Sequence, residues 1–583
     1  MGGYLMLTCH MKRTVSLLFI VLSLAIFSPA LGQPPDAGRL LQEQRQLQPS
    51  LPDRLPQKDA QDVERAPLKD SGAKITVKGF RFTGGKELVT DSELLALSSD
   101  VVGKEVGFAD LQRLTAKITN YLREKGYLLA QAYLPQQDVT AGIIEIVIIA
   151  GRIEGKTRIN VKEPRRISQK ILEGIAERSL PTGQPIRLEN IERVVLLMND
   201  LPGIRSQAFL ERGEVPETTR VAINVTEANL LTGILSGDNF GDRYTGTWRG
   251  AARVAINDPF GLGDQLSVSL TGAEHLFQGN MAYALPLGAT GFNWSVAYTD
   301  LTYELGSDLS NLNTKGDARI ISTGLTYPLL RTRNASLWSA LGFEYLSLHD
   351  EAGGVTTRDR RLSVGNLNLS GSFFDGFGGG GLTSIALTGY YGDLHLSGAA
   401  DIETNDDATA RSRGGFARVS YSLGRLQRIT RLLSVFGFAR GQLAGHNLDS
   451  SQKIILGGPN GIRAYPVGEA AGDEGLMMTL EPRLDLPFSP SWAFTQLIGF
   501  IDAGYVTLHK NTWTGSVTNA SDQNSYWLSG AGVGINVGKP GLYSIRASYA
   551  HKINDNPGRN ISGYDADNLN DQGRFWLQAT VWF

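Results

Sequence analysis

The sequence predicts a membrane β-barrel of about sixteen antiparallel strands over residues 228–583, preceded by two small α/β modules and an N-terminal helix. Three observations predict it. After residue 228, segment after segment alternates apolar and polar residues with a period of two, as strands with one apolar face do. Short turns there alternate with longer loops rich in Asn, Asp and Gly. The 68 glycines, well above the usual ~7 %, concentrate in the same region.

The first 32 residues have the order of a secretory signal peptide. A positively charged segment precedes the apolar run 15–27, and small residues follow it up to Gly32. A transmembrane anchor is the alternative, but this run is too short to cross ~30 Å of hydrocarbon as a helix. We therefore expect cleavage after Gly32. Cys9 would leave with the peptide, so the mature chain would have no disulfide and no cysteine-based metal site.

Residues 33–73 are rich in Gln, Pro and charged side chains. One stretch, 36–48, is compatible with a helix, and a proline-containing linker follows it. This composition is typical of a helix on a flexible tether, and a disordered tail is the alternative.

The next part of the chain contains an internal repeat. Residues 74–155 read as strand, helix, helix, strand, strand, and the same order returns in 156–227. A repeat of this size predicts two copies of one small module in tandem.

The layout of connections after residue 228 is typical of an outer-membrane barrel with both termini in the periplasm. Seven short turns alternate with eight longer loops, and these fifteen connections join sixteen strands. A soluble β-sandwich or propeller is the alternative, but neither predicts this alternation. In 480–486 the leucines share one face and Glu481, Arg483 and Asp485 share the other, and such a charged face must line water or protein. We therefore expect a polar lumen.

The sixth outer loop, 446–473, is the longest and places Arg463 among glycines and a proline. On the following strand Phe500, Asp502 and Gly504 are expected to face inward. A lone inward aspartate needs a cation, and Arg463 could form a bidentate pair with it if the loop folds into the barrel, where Gly504 would leave room for the loop backbone. An ordinary exposed turn is the alternative. Two other arginines that face the lumen compete for the aspartate: Arg483 and Arg546.

Two motifs make the chain resemble the TpsB family of two-partner secretion transporters. Residues 462–465, Ile-Arg-Ala-Tyr, correspond to the family's V-R-G-Y/F loop tip, and residues 500–504 correspond to its F-x-D-x-G strand motif. The departure is Ala464 where glycine is usual, which puts the backbone of the tip in doubt because alanine disfavours positive φ. The resemblance implies a loop anchor and translocation site at Arg463, Tyr465, Asp502, Phe500 and Gly504, and a barrel assembly signal at Phe583.

The resemblance implies a transporter in the outer membrane of a Gram-negative bacterium that moves an unfolded, β-helix-forming exoprotein of haemolysin or adhesin type to the cell surface. The repeated modules would be periplasmic POTRA domains that capture the partner's N-terminal secretion domain by adding a strand to a sheet edge. Alternatively they would only hold the mouth of the barrel in shape. The helix near 37–48 would plug the lumen at rest. Expected partners are the exoprotein, outer-membrane lipid and the barrel assembly machinery.

Other function classes find little support in the sequence. A net charge of −2, from 56 basic and 58 acidic side chains, argues against a nucleic-acid binder. Seven histidines with neither an H-E-x-x-H nor a G-x-S-x-G motif predict no enzyme, no catalytic residues, no metal and no cofactor. A barrel protease or lipase, an insertase of the same superfamily, and a passive porin or adhesin stay as alternatives. An insertase usually carries more POTRA modules, and a porin would not need two.

Overall fold

The computed structural model describes residues 34–46, 52, 74–163, 165–399, 401–487 and 492–583. The signal peptide expected at 1–32 and most of the expected linker lie outside these residues. The first helix, α1, spans Ala37–Arg45. It begins after Asp36, whose side chain accepts a hydrogen bond from the Arg39 N–H at 2.9 Å and so satisfies one of the free donors of the first turn.

The first module has the predicted order, with two short strands added. Its elements are β1 (Lys74–Thr76), β2 (Gly79–Thr83), α2 (Asp91–Ser98), β3 (Glu105–Gly107), α3 (Phe108–Glu124), β4 (Gln131–Tyr133) and β5 (Ile143–Ile149). Strand β5 is central, with β2 parallel on one side and β4 antiparallel on the other, while β1 pairs with β3. Apolar side chains of the two helices and the sheet form one core, which includes Leu94, Ile118, Leu122 and Ile146.

The second module contains β6 (Arg152–Ile153), β7 (Arg158–Val161), α4 (Gln169–Ser179), α5 (Leu188–Asn199), β8 (Ile204–Arg212) and β9 (Thr218–Glu227). Strand β9 is central, with β8 antiparallel and both β6 and β7 parallel to it. One feature differs from the sequence expectation. Strand β6 lies inside the expected first module, 74–155, but pairs with β9, because Gly151, at φ 63°, turns the chain out of the first sheet.

The remaining strands are β10 (Leu231–Asp238), β11 (Arg249–Asn257), β12 (Gln265–Ala273), β13 (Leu276–Pro286), β14 (Asn293–Glu304), β15 (Thr314–Arg331), β16 (Ala335–Ala352), β17 (Val355–Asp375), β18 (Gly381–Gly398), β19 (Gly414–Arg428), β20 (Leu433–Ala444), β21 (Ile454–Ile455), β22 (Ala471–Gly472), β23 (Glu474–Asp485), β24 (Phe494–Thr507), β25 (Ser525–Lys539), β26 (Tyr543–Lys552) and β27 (Gly573–Trp582). All except β21 and β22 form one closed antiparallel barrel. The prediction of sixteen barrel strands is confirmed. A short helix, α6 (Ile402–Ala408), lies in the fifth outer loop.

The strands alternate between an apolar outer face and an inner face that carries the polar groups. On β24, Ile501 is 56 % exposed on the outside, whereas Asp502 is fully buried inside. On β23, Leu480 and Leu484 face outward while Glu481 and Arg483 are buried. Closure pairs every strand on both sides, which satisfies the backbone of a chain in hydrocarbon.

The barrel closes where its first strand, β10, meets its last, β27. Gly233 and Phe583 exchange two backbone hydrogen bonds of 2.8 and 3.0 Å. The Phe583 ring covers Gly233, where a Cβ atom would come within 2.2 Å of the ring. At the other end of this seam the Asn239 carboxamide bonds the backbone of Phe575 and Leu577, each at 2.8 Å. The C-terminal aromatic therefore faces outward and takes part in closure.

The second module is fixed to the short turns of the barrel. Asp200, just after α5, forms a bidentate pair with Arg331 at the β15–β16 turn, with distances of 3.0 and 2.6 Å. The Ser168 N–H donates to the Gly261 carbonyl in the β11–β12 turn at 2.9 Å. The second module therefore lies at the end of the barrel opposite the long loops. Among the helices of the described ranges, none has the length and apolar character that a bilayer span requires.

Candidate functional site

The sixth outer loop, between β20 and β23, folds back into the barrel instead of extending into solvent. Its strands β21 and β22 pair with each other and lead the chain down to a tip. At the tip Leu456, Ile462, Ala464 and Tyr465 are all fully buried, in one cluster with side chains of β23–β26. A loop of apolar side chains surrounded by barrel wall is part of the core, so its position is fixed by packing.

Arg463, at the tip, forms the bidentate pair with Asp502. Its Nε and Nη2 donate to the two carboxylate oxygens at 2.9 and 2.8 Å, and its backbone N–H donates to the same carboxylate at 3.1 Å. Asp502 is fully buried. Breaking a buried ion pair costs ~3–5 kcal/mol because the remaining charge keeps its desolvation penalty. This contact therefore holds the loop against the wall at a buried position.

Four further side chains complete the arginine's surroundings. Nη1 donates to Glu481 at 2.7 Å, and Nη2 also donates to the Thr479 hydroxyl at 2.9 Å. The guanidinium carbon lies 3.4 Å from the centroid of the Phe500 ring, a cation–π arrangement. The Arg463 carbonyl accepts a hydrogen bond of 2.7 Å from the Trp576 indole. A planar fork with several donors suits this site, and the single ammonium of lysine would not.

The two arginines that compete with Arg463 in the sequence take other positions. Arg483 donates to Glu481 at 2.9 Å, so that carboxylate lies between two arginines. Arg546 lines the adjacent lumen cavity of about 200 Å³, together with Arg463 and Arg483. The choice among the three was open in the sequence, and the folded path of the loop decides it.

Tyr465 and Gly504 both position the tip. The Tyr465 hydroxyl donates to the carbonyls of Ser529 and Asn554 at 3.3 and 3.5 Å. A Cβ atom on Gly504 would lie 2.8 Å from a side-chain carbon of Ile462. Gly504 therefore leaves room for apolar side chains of the loop, whereas we expected the loop backbone there.

Ala464 needs no unusual backbone. It is absent from the described residues with positive φ, and the left-handed alanine of this loop is Ala470, at φ 55°. The Ala464 methyl packs against Gly530 of β25, where an added Cβ atom would lie 2.4 Å from it. The loop tip thus depends on a glycine of the neighbouring strand β25, opposite Asp502 in the β24–β25 pairing, that sequence reasoning missed, because a lone glycine in a strand has no local signal.

Gly530→Ala should displace the loop tip, because 2.4 Å is far too short for two methyl carbons. We expect trypsin added to intact cells to cleave after Arg463 in this variant and not in the parent chain. Gly437→Ala is the matched control, since nothing lies within 4 Å of a Cβ atom built there. Equal protection of the Gly530→Ala and parent chains would show that the tip is not held against this wall.

The second segment inside the barrel is helix α1. Ala37, Leu40 and Leu41 are fully buried in a cluster with wall side chains such as Tyr303 and Leu346. The helix also contacts the sixth loop. A Cβ atom on Gly38 would lie 2.5 Å from the Ser450 hydroxyl, and the Gln46 amide donates to the carbonyls of Ile455 and Gly457 at 3.2 Å each. Helix and loop therefore occupy the lumen as two segments in contact.

An ionic cluster holds the start of α1. Arg360, fully buried on β17, binds Asp36 at 3.1 Å, Asp449 at 3.0 Å and Asp350 at 2.5 Å. Burial by itself would raise the pKa of the Asp36 carboxyl, but Arg360 and then Arg358 outweigh it and lower that pKa to about 2. Asp36 is therefore ionised throughout the neutral range.

Asp36 differs from the other members of this cluster because it belongs to the N-terminal segment that carries α1. Arg360 would keep Asp350 and Asp449 as partners, so release of α1 leaves no buried arginine without a counterion. Farther along the helix Arg39 binds Glu43 at 3.1 Å and lies 3.8 Å from Asp242 of the first outer loop. Departure of the helix would therefore leave Arg360 paired but would take Arg39 away from the buried Asp242.

Comparison with known proteins adds the following findings. Residues 217–537 match the model of a family described as haemolysin secretion/activation protein ShlB/FhaC/HecB, and residues 75–151 match a POTRA domain of ShlB type. The chain is 29 % identical to the heme/hemopexin transporter protein HuxB of Haemophilus influenzae strain 86-028NP, over 95 % of this chain and 96 % of that protein.

Two further similarities also extend over most of both chains. The chain is 23 % identical to the outer membrane transporter CdiB of Dickeya dadantii strain 3937, over 82 % of this chain and 83 % of that protein. The solved structure of CdiB from Escherichia coli superposes with a TM-score of 0.71 at 19 % identity, covering 95 % of this chain and all of that one.

Proposed function

Since the chain belongs to the haemolysin secretion/activation protein family ShlB/FhaC/HecB, we propose that it exports one unfolded, β-helix-forming exoprotein of haemolysin or adhesin type. The chain is an outer-membrane transporter of the two-partner secretion type, which acts with a secreted partner protein, and its POTRA region lies in the periplasm. Our proposal assigns it no catalytic step and no cofactor. The outer-membrane lipid and the barrel assembly machinery would be its other partners.

One observation carries the proposal: the closed barrel is filled by two segments held through specific contacts, α1 and the sixth loop. A passive porin would not need a separate helix whose ionic contacts can be released without leaving a buried arginine unpaired. The polar lumen would give an extended polypeptide a path to the surface once α1 has left. The Arg463–Asp502 pair would keep the sixth loop in its working position during passage.

The parts of the chain would divide the work in order. Residues 1–32 would direct secretion, 33–73 would plug and tether, 74–155 and 156–227 would capture the partner, and 228–583 would form the conduit. Phe583 would serve as the signal read by the assembly machinery.

Capture by strand addition is supported by the open edge of the second module. Strand β8 pairs with β9 alone among the described strands, and Phe209, Leu210 and Val215 at or near that edge are exposed. An exposed edge with apolar side chains is a surface to which an extended segment can add. If the modules only shaped the barrel's mouth, this edge would have no partner to bind.

Export of a candidate partner tests the function. The chain and a candidate large exoprotein with an N-terminal secretion domain should be produced together in a heterologous Gram-negative host, and the exoprotein measured in the medium. We expect secretion with the full chain and none with an empty vector. A chain lacking residues 74–227, with its barrel assembled, should not secrete. Release of the exoprotein without the chain would contradict the proposal, and secretion by the shortened chain would remove the capture role.

A further inference from the structure

A cavity of about 710 Å³ stays open in the lumen beside the end of α1, between the helix, strands β16–β20 and the base of the sixth loop. Much of its wall is short and neutral, with hydroxyl groups such as those of Ser370, Ser384, Thr388 and Ser422. Aromatic and aliphatic side chains also line it. The charged side chains on this wall are the groups that can select an occupant by its charge.

The charge of this cavity is unbalanced. Arg45, Arg418, Arg440 and Lys453 line it, and Glu344 is the one carboxylate among its described lining residues. Glu344 already binds Arg45 at 3.1 Å. A mobile or exported group that enters would therefore meet an excess of positive charge.

Lys453 is neutralised, because its ammonium lies 2.7 Å from the buried carboxylate of Asp473. Arg418 has neutral partners only. Its Nε donates to the Gln452 side chain at 3.1 Å and its Nη1 donates to the Gln442 side chain at 3.1 Å. Its guanidinium carbon lies 3.6 Å from the centroid of the Tyr390 ring. These contacts hold the side chain in place without cancelling its charge.

Arg440 is less satisfied still. Its Nη2 donates to the Ile455 carbonyl at 3.1 Å, and its Nε is buried without any hydrogen-bond partner. Among the described residues, neither Arg418 nor Arg440 forms an ion pair. Arg360 and Arg463, by contrast, bind three and two carboxylates. The lack of a carboxylate partner therefore distinguishes the two arginines of this cavity from those two.

The two arginines stand on neighbouring strands in a fixed stagger. Arg418 is opposite Ala444 and Arg440 is opposite Ser422, so four residues separate them along the strand direction. At ~3.3 Å per residue this is about 13 Å along the strands. Acidic side chains spaced along one extended chain could contact both.

We propose that this cavity is a binding site for carboxylate groups, with Arg418 and Arg440 as its ligands. Its occupants are small carboxylate ions or the acidic side chains of a polypeptide in transit. The polypeptide occupant rests on the proposed function, whereas the binding of small ions does not. Unpaired cations that line a water-filled lumen raise the local concentration of anions and favour their passage.

Reversal potentials in planar bilayers test the site without any partner protein. The full-length chain should be measured in a potassium acetate gradient beside the double variant Arg418→Gln/Arg440→Gln. We expect a preference for acetate over potassium that falls at least several-fold in the double variant. Arg319→Gln, an exposed arginine on the outside of the barrel, is the matched control and should not change the ratio. An unchanged ratio in the double variant would overturn the proposal.

Peptide block separates the two sources of carboxylate. Hexaglutamate should reduce the current at a concentration at least tenfold lower than hexaglutamine, and the double variant should lose this difference. Equal block by the two peptides, with selectivity still dependent on the arginines, would overturn the polypeptide occupant and leave a site for small anions only. Since neither measurement uses the exoprotein, failure of export would not be confused with failure of this site.

Discussion

Arg463→Ala and Asp502→Ala should each reduce export of the partner by at least tenfold while the barrel still assembles. Each substitution removes the bidentate contact between the sixth loop and β24 and leaves one charge in a buried site. Breaking such a pair costs ~3–5 kcal/mol, and water in the lumen should lower that figure. Secreted protein in the medium measures the loss, and heat-modifiable migration in gels reports whether the barrel is folded.

The double variant Arg463→Ala/Asp502→Ala should be no worse than either single variant, because all three lose the same interaction. Arg463→Lys should also fail, since one ammonium cannot bind Asp502 through two oxygens, reach Glu481 and cover the Phe500 ring at once. Arg413→Ala, in the fifth outer loop, is the control. Export losses that add fully would show that the residues act independently, and Arg463 would then be a contact of the moving substrate.

Deleting residues 36–48 should raise the ion conductance of the barrel several-fold and leave export largely intact. The helix occupies the lumen with three fully buried apolar side chains, so its removal opens that part of the path. Planar-bilayer recording measures the change. Unchanged conductance would show that the sixth loop alone closes the lumen.

Asp36→Ala should also raise the ion conductance, but by less than the deletion. Arg360 keeps two carboxylates in this variant, while the helix loses its contact with Arg360. Asp401→Asn, an exposed aspartate of the fifth outer loop, should change nothing.

Arg360 lowers the pKa of Asp36 to about 2 although burial acts to raise it. The contact between Arg360 and Asp36 is therefore fully present above pH 4 and is lost only as the pH falls towards 2. We expect constant plug behaviour between pH 5 and 8.

The architecture could be predicted in advance because its causes are local. Each barrel strand shows the alternation of apolar and polar residues within its own length, and each turn is indicated by its own residues. The sixteen strands and their orientation can therefore be predicted one segment at a time. The tandem modules follow from the internal repeat in the same way. The position of β6 does not, because two residues after a sharp turn can pair with either sheet.

The features of the candidate site also separate into those with local causes and those set by the tertiary structure. The sequence by itself determined that an arginine-bearing loop, an inward aspartate and a tethered helix exist, since each is encoded in one short stretch. Which of three arginines meets Asp502 was decided by the tertiary structure, through the path that Gly530 and Ile462 impose on the loop. The tertiary structure also decided which carboxylates surround Arg360 and which arginines of the cavity have no carboxylate partner. Their charges come from segments hundreds of residues apart, and only barrel closure brings some together and leaves others without a counterion.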